Sequence, residues 1–552
     1  MNKMKKLSLL ILLSSIFVAC ELERFPYDSV ASEELFENEG GLESATLGTY
    51  AILKGDADGN GFAPQLFRLS EYPGDNVSLS GNTTDPLFYS YNYQNITTNN
   101  RSNNMWTAAY QAVVGCNKVI ELAQEGESPE RDQLIGENYY LRALIYFQMV
   151  NIYGRPYSQG AENLGVPLKL TSEIDDLPDR HTVGQVYEQI VKDLLKAEEL
   201  MTLPKTNAYA TKEAAQALLS RVFLYMEDNQ RAIDYADKVI ASGNYSLIPN
   251  ANLADYFKLA PEDNSETIFC FRYQEESDYN HGWYTVGSLF ANIKGTGWGE
   301  MYASSTYLDL INRHPEDARK GFIDPQYILD DNGDKIPAVY WVDADYKYQF
   351  RLTFEDGGST FFTDNNIDYE VQSEEVNGRT LHFYINASAE KVYVTKDYDL
   401  YKRNGFPKFY VLKTSLQEDV AQLWSPVVSR LGEMYLNKAE AYAKMGDDAL
   451  ALENINIIRE RAGIPAYNGV GELPAGTTAL DAVLEERRLE LAFEGHRKFD
   501  VFRNNRTMNR SYPGSHLNGS NPYYQVLPTD DRVIEYIPES QIIVQPTLKQ
   551  ND

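Results

Sequence analysis

Residues 211–243 read TKEAAQALLSRVFLYMEDNQRAIDYADKVIASG, and residues 430–463 read RLGEMYLNKAEAYAKMGDDALALENINIIRERAG. Each is an apolar helical run, a polar turn and a second apolar run. The turn falls at Asp228-Asn229 in the first and at Gly446-Asp447 in the second, with restarts at Ala232-Ile233 and Ala449-Leu450. Each stretch is about 34 residues long, the period of the tetratricopeptide repeat. Small residues recur where the paired helices would cross, as such a hairpin needs. A repeat cannot bury its apolar face alone, and two units are too few. Further helices must therefore stack on these two.

The first half of the chain supplies them. ENYYLRALIYFQMVNIYGRP places Tyr140, Leu144 and Phe147 on one helical face, and Gly154 and Pro156 end it. VGQVYEQIVKDLLKAEEL places Val186, Ile190, Leu194 and Ala197 on another. Trp106, Tyr110, Val113, Asn117 and Ile120 form a third stripe, and Leu42, Ala45, Thr49 and Ile52 a fourth. The expected fold class is all-α dominated, built of tetratricopeptide-like hairpins. Between about residues 278 and 424 the character changes: short alternating runs such as RLTFED and KVYVTK are broken by turns at Asn332-Gly333 and Gly357-Gly358. This reads as an irregular strand-and-loop insertion between helical halves, a place where recognition residues are commonly carried.

The amino terminus has its own logic. Met1 to Lys6 holds three lysines and no acid, Leu7 to Val18 is apolar, and Ala19 precedes Cys20. That is a secretory signal over residues 1–19 ending in a lipobox-like site, so Cys20 is expected to become the lipidated N-terminus. Removing three lysines moves the net charge from −30 to −33. Such a chain repels nucleic acid and anionic surfaces, so no nucleic-acid partner is expected and the membrane is reached through the lipid alone. Three cysteines make no disulfide framework; Cys116, in a helix, and Cys270, in the strand-like TIFCFRY, read as buried thiols.

These features converge on a resemblance. The Cys20 lipobox, the Trp106, Tyr110, Asn117 stripe, YYLRALIYFQMVNIYGRP, RLGEMYLNKAEAYAKMGD, INIIRERAG, ERRLELAFEGHRKFDVFR and YIPESQIIVQPTLKQN occur in the order found in the SusD/RagB family of outer-membrane lipoproteins, which the chain resembles. One departure is Gln541, where an acid is frequent. The resemblance implies a SusD-like N-terminal helical region over 20–270 and a C-terminal region over 271–552 that includes the insertion. It also implies a lipid-anchored, cell-surface position on the outer membrane. The implied partner is a SusC-like TonB-dependent transporter, and the implied cargo an oligosaccharide or, in the RagB branch, a peptide.

Catalysis has less support. ERRLELAFEGHRKFD gathers carboxylates, arginines and His496, but on a helix, with Leu484 and Leu491 seven apart and Leu489 and Phe493 four apart, its charges pair as a structural network. A glycoside hydrolase needs two carboxylates, and nothing selects a pair from 80 acids. The six histidines show no HExxH-type spacing, and DADGNGFAPQLF has Phe67 where a calcium loop needs its twelfth-position acid. No enzyme activity, cofactor or metal is expected. A sugar site needs flat aromatic faces and hydroxyl-bonding polar groups. Trp283, Tyr284 and Trp298, set among glycines outside any amphipathic pattern, are the expected stacking residues. Asp75 of SEYPGDNVSLSGN, with Asp58 and Asn60, is expected to bond hydroxyls.

Overall fold

The computed structural model describes residues 39–56, 59–81, 83–274, 285–376, 379–515 and 523–552. Its body is a sequence-ordered array of helices: α1 (Glu39–Lys54), α2 (Phe62–Ser70), α3 (Asn100–Leu122), α4 (Pro129–Tyr153), α5 (Val183–Leu200), α6 (Lys212–Tyr225), α7 (Asn229–Ala241), α8 (Leu431–Met445), α9 (Asp448–Ala462) and α10 (Ala479–Glu490). From α3 to α10 each helix packs on the next. The two look-alike hairpins, α6/α7 and α8/α9, are direct neighbours although some 220 residues of sequence separate their starts. Ser220 of α6 donates to the Ala232 carbonyl of α7 (2.9 Å) and accepts from Asn437 of α8 (3.2 Å). The small residues of the hairpins are what allow that approach.

Local signals set the ends. Thr211, Asp228 and Asp447 each accept a backbone N–H in the first turn of α6, α7 and α9. Gly446 and Gly463 end α8 and α9 with φ of 83° and 86°, a conformation that favours glycine. Helix α4 is buried on nearly every face, not only the Tyr140–Leu144–Phe147 stripe. It is the centre of the array, and the polar residues that this traps are paired: Arg142 makes a two-pronged contact with Asp193 of α5 (2.7 and 2.8 Å) and donates to Asn117 of α3 (2.8 Å). Many tyrosines are packing residues whose hydroxyls tie loops to helices. Tyr146 bonds the Lys169 carbonyl, Tyr110 that of Pro167 and Tyr72 that of Val286. Cys116 and Cys270 are buried free thiols, and burial pushes the Cys116 thiol up to about 12.

Strand β2 (Thr267–Cys270) pairs antiparallel with β13 (Val427–Arg430), so the insertion's two ends are stitched together just before α8 resumes the array. A second short pair joins β1 (Val77–Leu79) to β3 (Met301–Ala303). Within the insertion the expectation of irregular structure gives way to a closed barrel. Strands β4 (Pro337–Val342), β5 (Tyr348–Asp356), β6 (Ser359–Asp364), β7 (Ile367–Glu370), β8 (Gln372–Val376), β9 (Arg379–Ile385) and β10 (Lys391–Tyr398) form one antiparallel sheet in the order β7-β6-β5-β4-β10-β9-β8. Its two edge strands are joined by Val371 alone, so they are halves of one strand, pairing first with β6 and then with β9. The sheet therefore closes on itself as an up-and-down barrel, which leaves no free edge. Trp341, Phe362, Tyr369 and Tyr384 meet inside it, with ring centroids 5.0–5.6 Å apart. Outward positions such as Tyr340, Phe350, Leu352 and Phe354 are apolar too, and that blurs the alternation by which such strands are recognised. The expected turn at Asn332-Gly333 is present, with the Asp330 N–H bonded to the Asp334 carbonyl at 2.8 Å.

One further expectation fails locally. ERRLELAFEGHRKFD is not one helix: α10 stops at Glu490, Phe493 takes φ 67° and Gly495 φ 82°, and α11 (Arg497–Arg503) starts afresh. Leu489 and Phe493 are therefore not successive turns of one helical face. Among the described residues no helix is long and apolar enough to cross a membrane.

Candidate functional site

The β1–β3 pair sets the chain after Leu79 beside residues 292–300. There the backbone folds into a tight loop: Ile293 and Thr296 exchange two hydrogen bonds of 2.9 Å across Lys294-Gly295, whose φ angles are 52° and 86°. The loop is held from several sides. Gln422 donates to the Ala291 (2.9 Å) and Thr296 (3.1 Å) carbonyls, and Asn292 donates to that of Gly297 (2.7 Å). The Trp298 N–H donates to Ser288 (2.6 Å). Arg403, from the hairpin of β11 (Lys402–Arg403) and β12 (Phe406–Pro407), donates to the Trp298 carbonyl (2.8 Å) and to the Glu300 carboxylate (2.8 Å). Gly297 has φ 98°, and a Cβ there would lie 2.4 Å from the Ala291 carbonyl oxygen. Glycine is thus required beside the tryptophan.

The outcome is a large aromatic ring displayed on a rigid support. Trp298 is 48% exposed, whereas Trp106 and Trp341 are buried. Its backbone is ordered before any ligand arrives, so little ordering entropy remains to be lost on binding. Arg403, Gln422 and Asn292 are the residues that sequence reasoning missed. Two of them lie more than 100 positions from Trp298 and neither sits in a recognisable pattern.

The other expected residues divide. Trp283, Tyr284, Asp58 and Cys20 lie outside the described residues. Asn60 closes its own loop: its side-chain oxygen accepts from Asn104 (2.7 Å) and its amide donates to Asp56 (3.3 Å). Asp75 is a correction. It is 5% exposed, and its two carboxylate oxygens accept from Arg497 at 2.6 and 2.9 Å, with Arg488 3.6 Å away. Burial raises its pKa, but the two arginines outweigh burial and hold it well below the usual carboxylate range. A carboxylate this deep is stable only when paired, and at this burial it presents no open face to a sugar hydroxyl.

The charges of ERRLELAFEGHRKFD are likewise structural. Arg430 contacts Glu266 (3.0 Å), Glu490 (2.7 Å) and Glu494 (2.9 Å), and Arg319 contacts Asp317, Glu486 and Glu490. Arg487 and Arg503 share Glu440 and Asp500. Burial pushes the Glu494 pKa upward, yet Arg430 and Lys413 bring it down to about 2. A general acid in glycoside hydrolysis needs the opposite shift together with access to substrate. Glu71 has the raised pKa, about 7 through burial, but it is fully enclosed and accepts the Phe493 and Gly495 N–H groups at 3.1 and 2.8 Å. Burial likewise pushes His496 well below its ordinary range. Among the described residues no group of histidine, cysteine or carboxylate side chains is arranged to hold a metal ion.

Comparison with known proteins is consistent along the chain. Residues 265–552 match the family model described as SusD family, and residues 52–224 match one described as starch-binding associating with outer membrane. SusD-like protein P38 of Formosa agariphila is 25% identical, with 100% of this chain and 99% of that protein covered. Starch-binding protein SusD of Bacteroides thetaiotaomicron is 23% identical over 75% of this chain and 71% of that protein. Among solved structures, a SusD superfamily protein from Bacteroides thetaiotaomicron superposes with a TM-score of 0.70 at 23% identity, covering 93% of this chain and 100% of that one. A SusD-like carbohydrate binding protein from Bacteroides vulgatus gives 0.65 at 19% identity, covering 93% and 97%. The chain is a member of the SusD family, carrying that family's helical tetratricopeptide-like fold.

Proposed function

We propose that this protein captures oligosaccharide at the cell surface and delivers it to a SusC-like TonB-dependent transporter, held to the outer membrane by lipid on Cys20. The observation that carries the reading is Trp298, a half-exposed indole on a loop pinned by Gln422, Asn292 and Arg403. Such a ring offers a flat apolar face of the kind that stacks on sugar rings. In this reading Trp283 and Tyr284 are further stacking residues, and Asp58 and Asn60 further partners for sugar hydroxyls. Support from relatives lies in their names, which specify starch or carbohydrate binding, and in the outer-membrane association of the family description. The reading is of binding without catalysis, because the carboxylate cluster nearest to a catalytic pattern is buried and fully paired. Calorimetry with a panel of soluble oligosaccharides, followed by chromatography of the same mixtures, tests it. Saturable binding with no shortened product is expected; product formation, or failure of every glycan to bind, would sink it. Cys20→Ser should release the protein from membranes, and affinity isolation from mildly solubilised outer membranes should recover a large barrel protein with the wild type.

A further inference from the structure

Well away in sequence from Trp298, the structure holds a cleft of about 440 Å³. Trp106 and Tyr110 of α3 line it, with Leu177 from the loop after residue 169 and Val544 from α12 (Glu539–Val544). Its walls are built to stay put. Lys169 turns inward and donates to the Glu173 and Asp176 carbonyls, Thr171 bonds the Asp176 carboxylate (2.6 Å), and Asn117 holds the carbonyls of Lys169 (3.0 Å) and Thr171 (2.9 Å). Gln545 donates to the carbonyls of Leu177 (2.9 Å) and Pro178 (3.0 Å), locking the C-terminal segment to the loop.

This rigid frame directs aliphatic side chains into solvent. Ile174 is 88% exposed, Ile543 72%, Val544 68% and Leu177 52%. The cleft's surface is mostly apolar, from Trp106, Val114, Leu177, Val544 and Leu548, with Gln111 and Gln541 among them. Leu177 and Val544 line the cleft, and Ile174 and Ile543 lie on the same two segments; exposed apolar surface of this kind marks an interaction site. Charge narrows the choice of partner. The segments 170–179 and 539–544 contain Glu173, Asp175, Asp176, Asp179 and Glu539 and no lysine or arginine, and the flanking cations Lys169 and Arg180 are engaged with backbone carbonyls. An acidic collar repels anionic lipid and favours positive charge on whatever docks.

We infer that this cleft is a docking site for a protein segment whose apolar side chains fill it and whose flanking lysines or arginines meet the acidic collar. The cleft shares no lining residue with the Trp298 loop, so the inference stands or falls independently of glycan binding. The test uses the full chain and a fluorescein-labelled peptide, Lys-Lys-Leu-Phe-Leu-Lys-Lys, read by anisotropy. Saturable binding is expected that weakens at least about tenfold when Ile543→Ser and Val544→Ser are combined, a change of about 1.4 kcal/mol. Binding should also weaken as salt screens the collar. Because both side chains are exposed, the double variant should keep its melting temperature, and its glycan affinity should be unchanged. A Glu-Glu-Leu-Phe-Leu-Glu-Glu peptide should bind at least tenfold more weakly. Absence of saturable binding of the basic peptide, equal binding by the double variant, or equal binding of the acidic peptide overturns the proposal. So does patch-dependent association with phosphatidylglycerol vesicles, which would make the occupant a lipid surface.

Discussion

The helical array and the inserted barrel solve the problem of a stable interior in opposite ways. Between α8, α10 and α11 the array buries arginines and carboxylates in networks: Arg319, Arg430, Arg487 and Arg503 are each 3% exposed or less. The barrel of residues 337–398 buries Val339, Trp341, Phe362, Tyr384 and Val394, and it keeps ions such as Arg351 and Asp364 partly exposed. The difference follows from how each is held together. Stacked helices make no backbone hydrogen bonds to one another, so specificity between them must come from side chains, and paired charges supply it. A closed barrel fixes its strand register through backbone hydrogen bonds and needs only an apolar filling.

This contrast can be broken by attacking each interior in turn. The largest effect is expected for Arg430→Met, which leaves Glu266, Glu490 and Glu494 without their shared partner. Removing one member of a buried ion network costs about 3–5 kcal/mol, and chemical denaturation should show the helical body losing that much. The same region should be acid-sensitive. Glu494 has a pKa of about 2 in the folded protein against an ordinary 4.5. Its contribution is therefore complete above about pH 5 and is lost as pH falls through 4.5 toward 2. Glu494→Gln should weaken the protein at pH 7 and flatten the acid limb of a stability–pH curve; an unchanged limb would show that other carboxylates control it.

In the barrel, Phe362→Ala removes the ring against which Trp341, Tyr369 and Tyr384 pack, and should cost about 3 kcal/mol. Hydrogen exchange should locate the loss in residues 337–398 and leave α4 through α9 protected. Equal loosening of the helices would show that the two interiors fold as one. Next in size is Trp298→Ala. Losing an anchor ring should weaken glycan binding by about 1–3 kcal/mol, roughly five- to more than a hundredfold. The melting temperature should hardly move. Intact affinity with a lowered melting temperature would make Trp298 a packing residue. The smallest effect is expected for Arg403→Lys, which removes the two-pronged support under Trp298 and Glu300. About 0.5–1.5 kcal/mol of glycan affinity should be lost, with Trp298 fluorescence showing a looser indole.

Local patterns in the chain were enough to identify the helical hairpins, the polar turns inside them and the turns at Asn332-Gly333 and Gly357-Gly358. All of these depend on residues within a turn or two of each other, where period, cap and left-handed glycine leave a direct mark. Three other features were settled only by tertiary structure. Barrel closure joins β10 to β4, some 50 residues upstream, and a strand cannot announce its remote partner. The break after Glu490 places Phe493 in a left-handed turn held by Glu71, whose carboxylate is 422 positions away. The role of Asp75 turned on Arg497, also 422 positions away. On its own loop Asp75 reads as a free carboxylate beside a turn. Only the fold brings the two arginines that enclose it, because the burial and partners that decide whether a carboxylate binds a ligand or holds a core are properties of the surroundings and not of the residue.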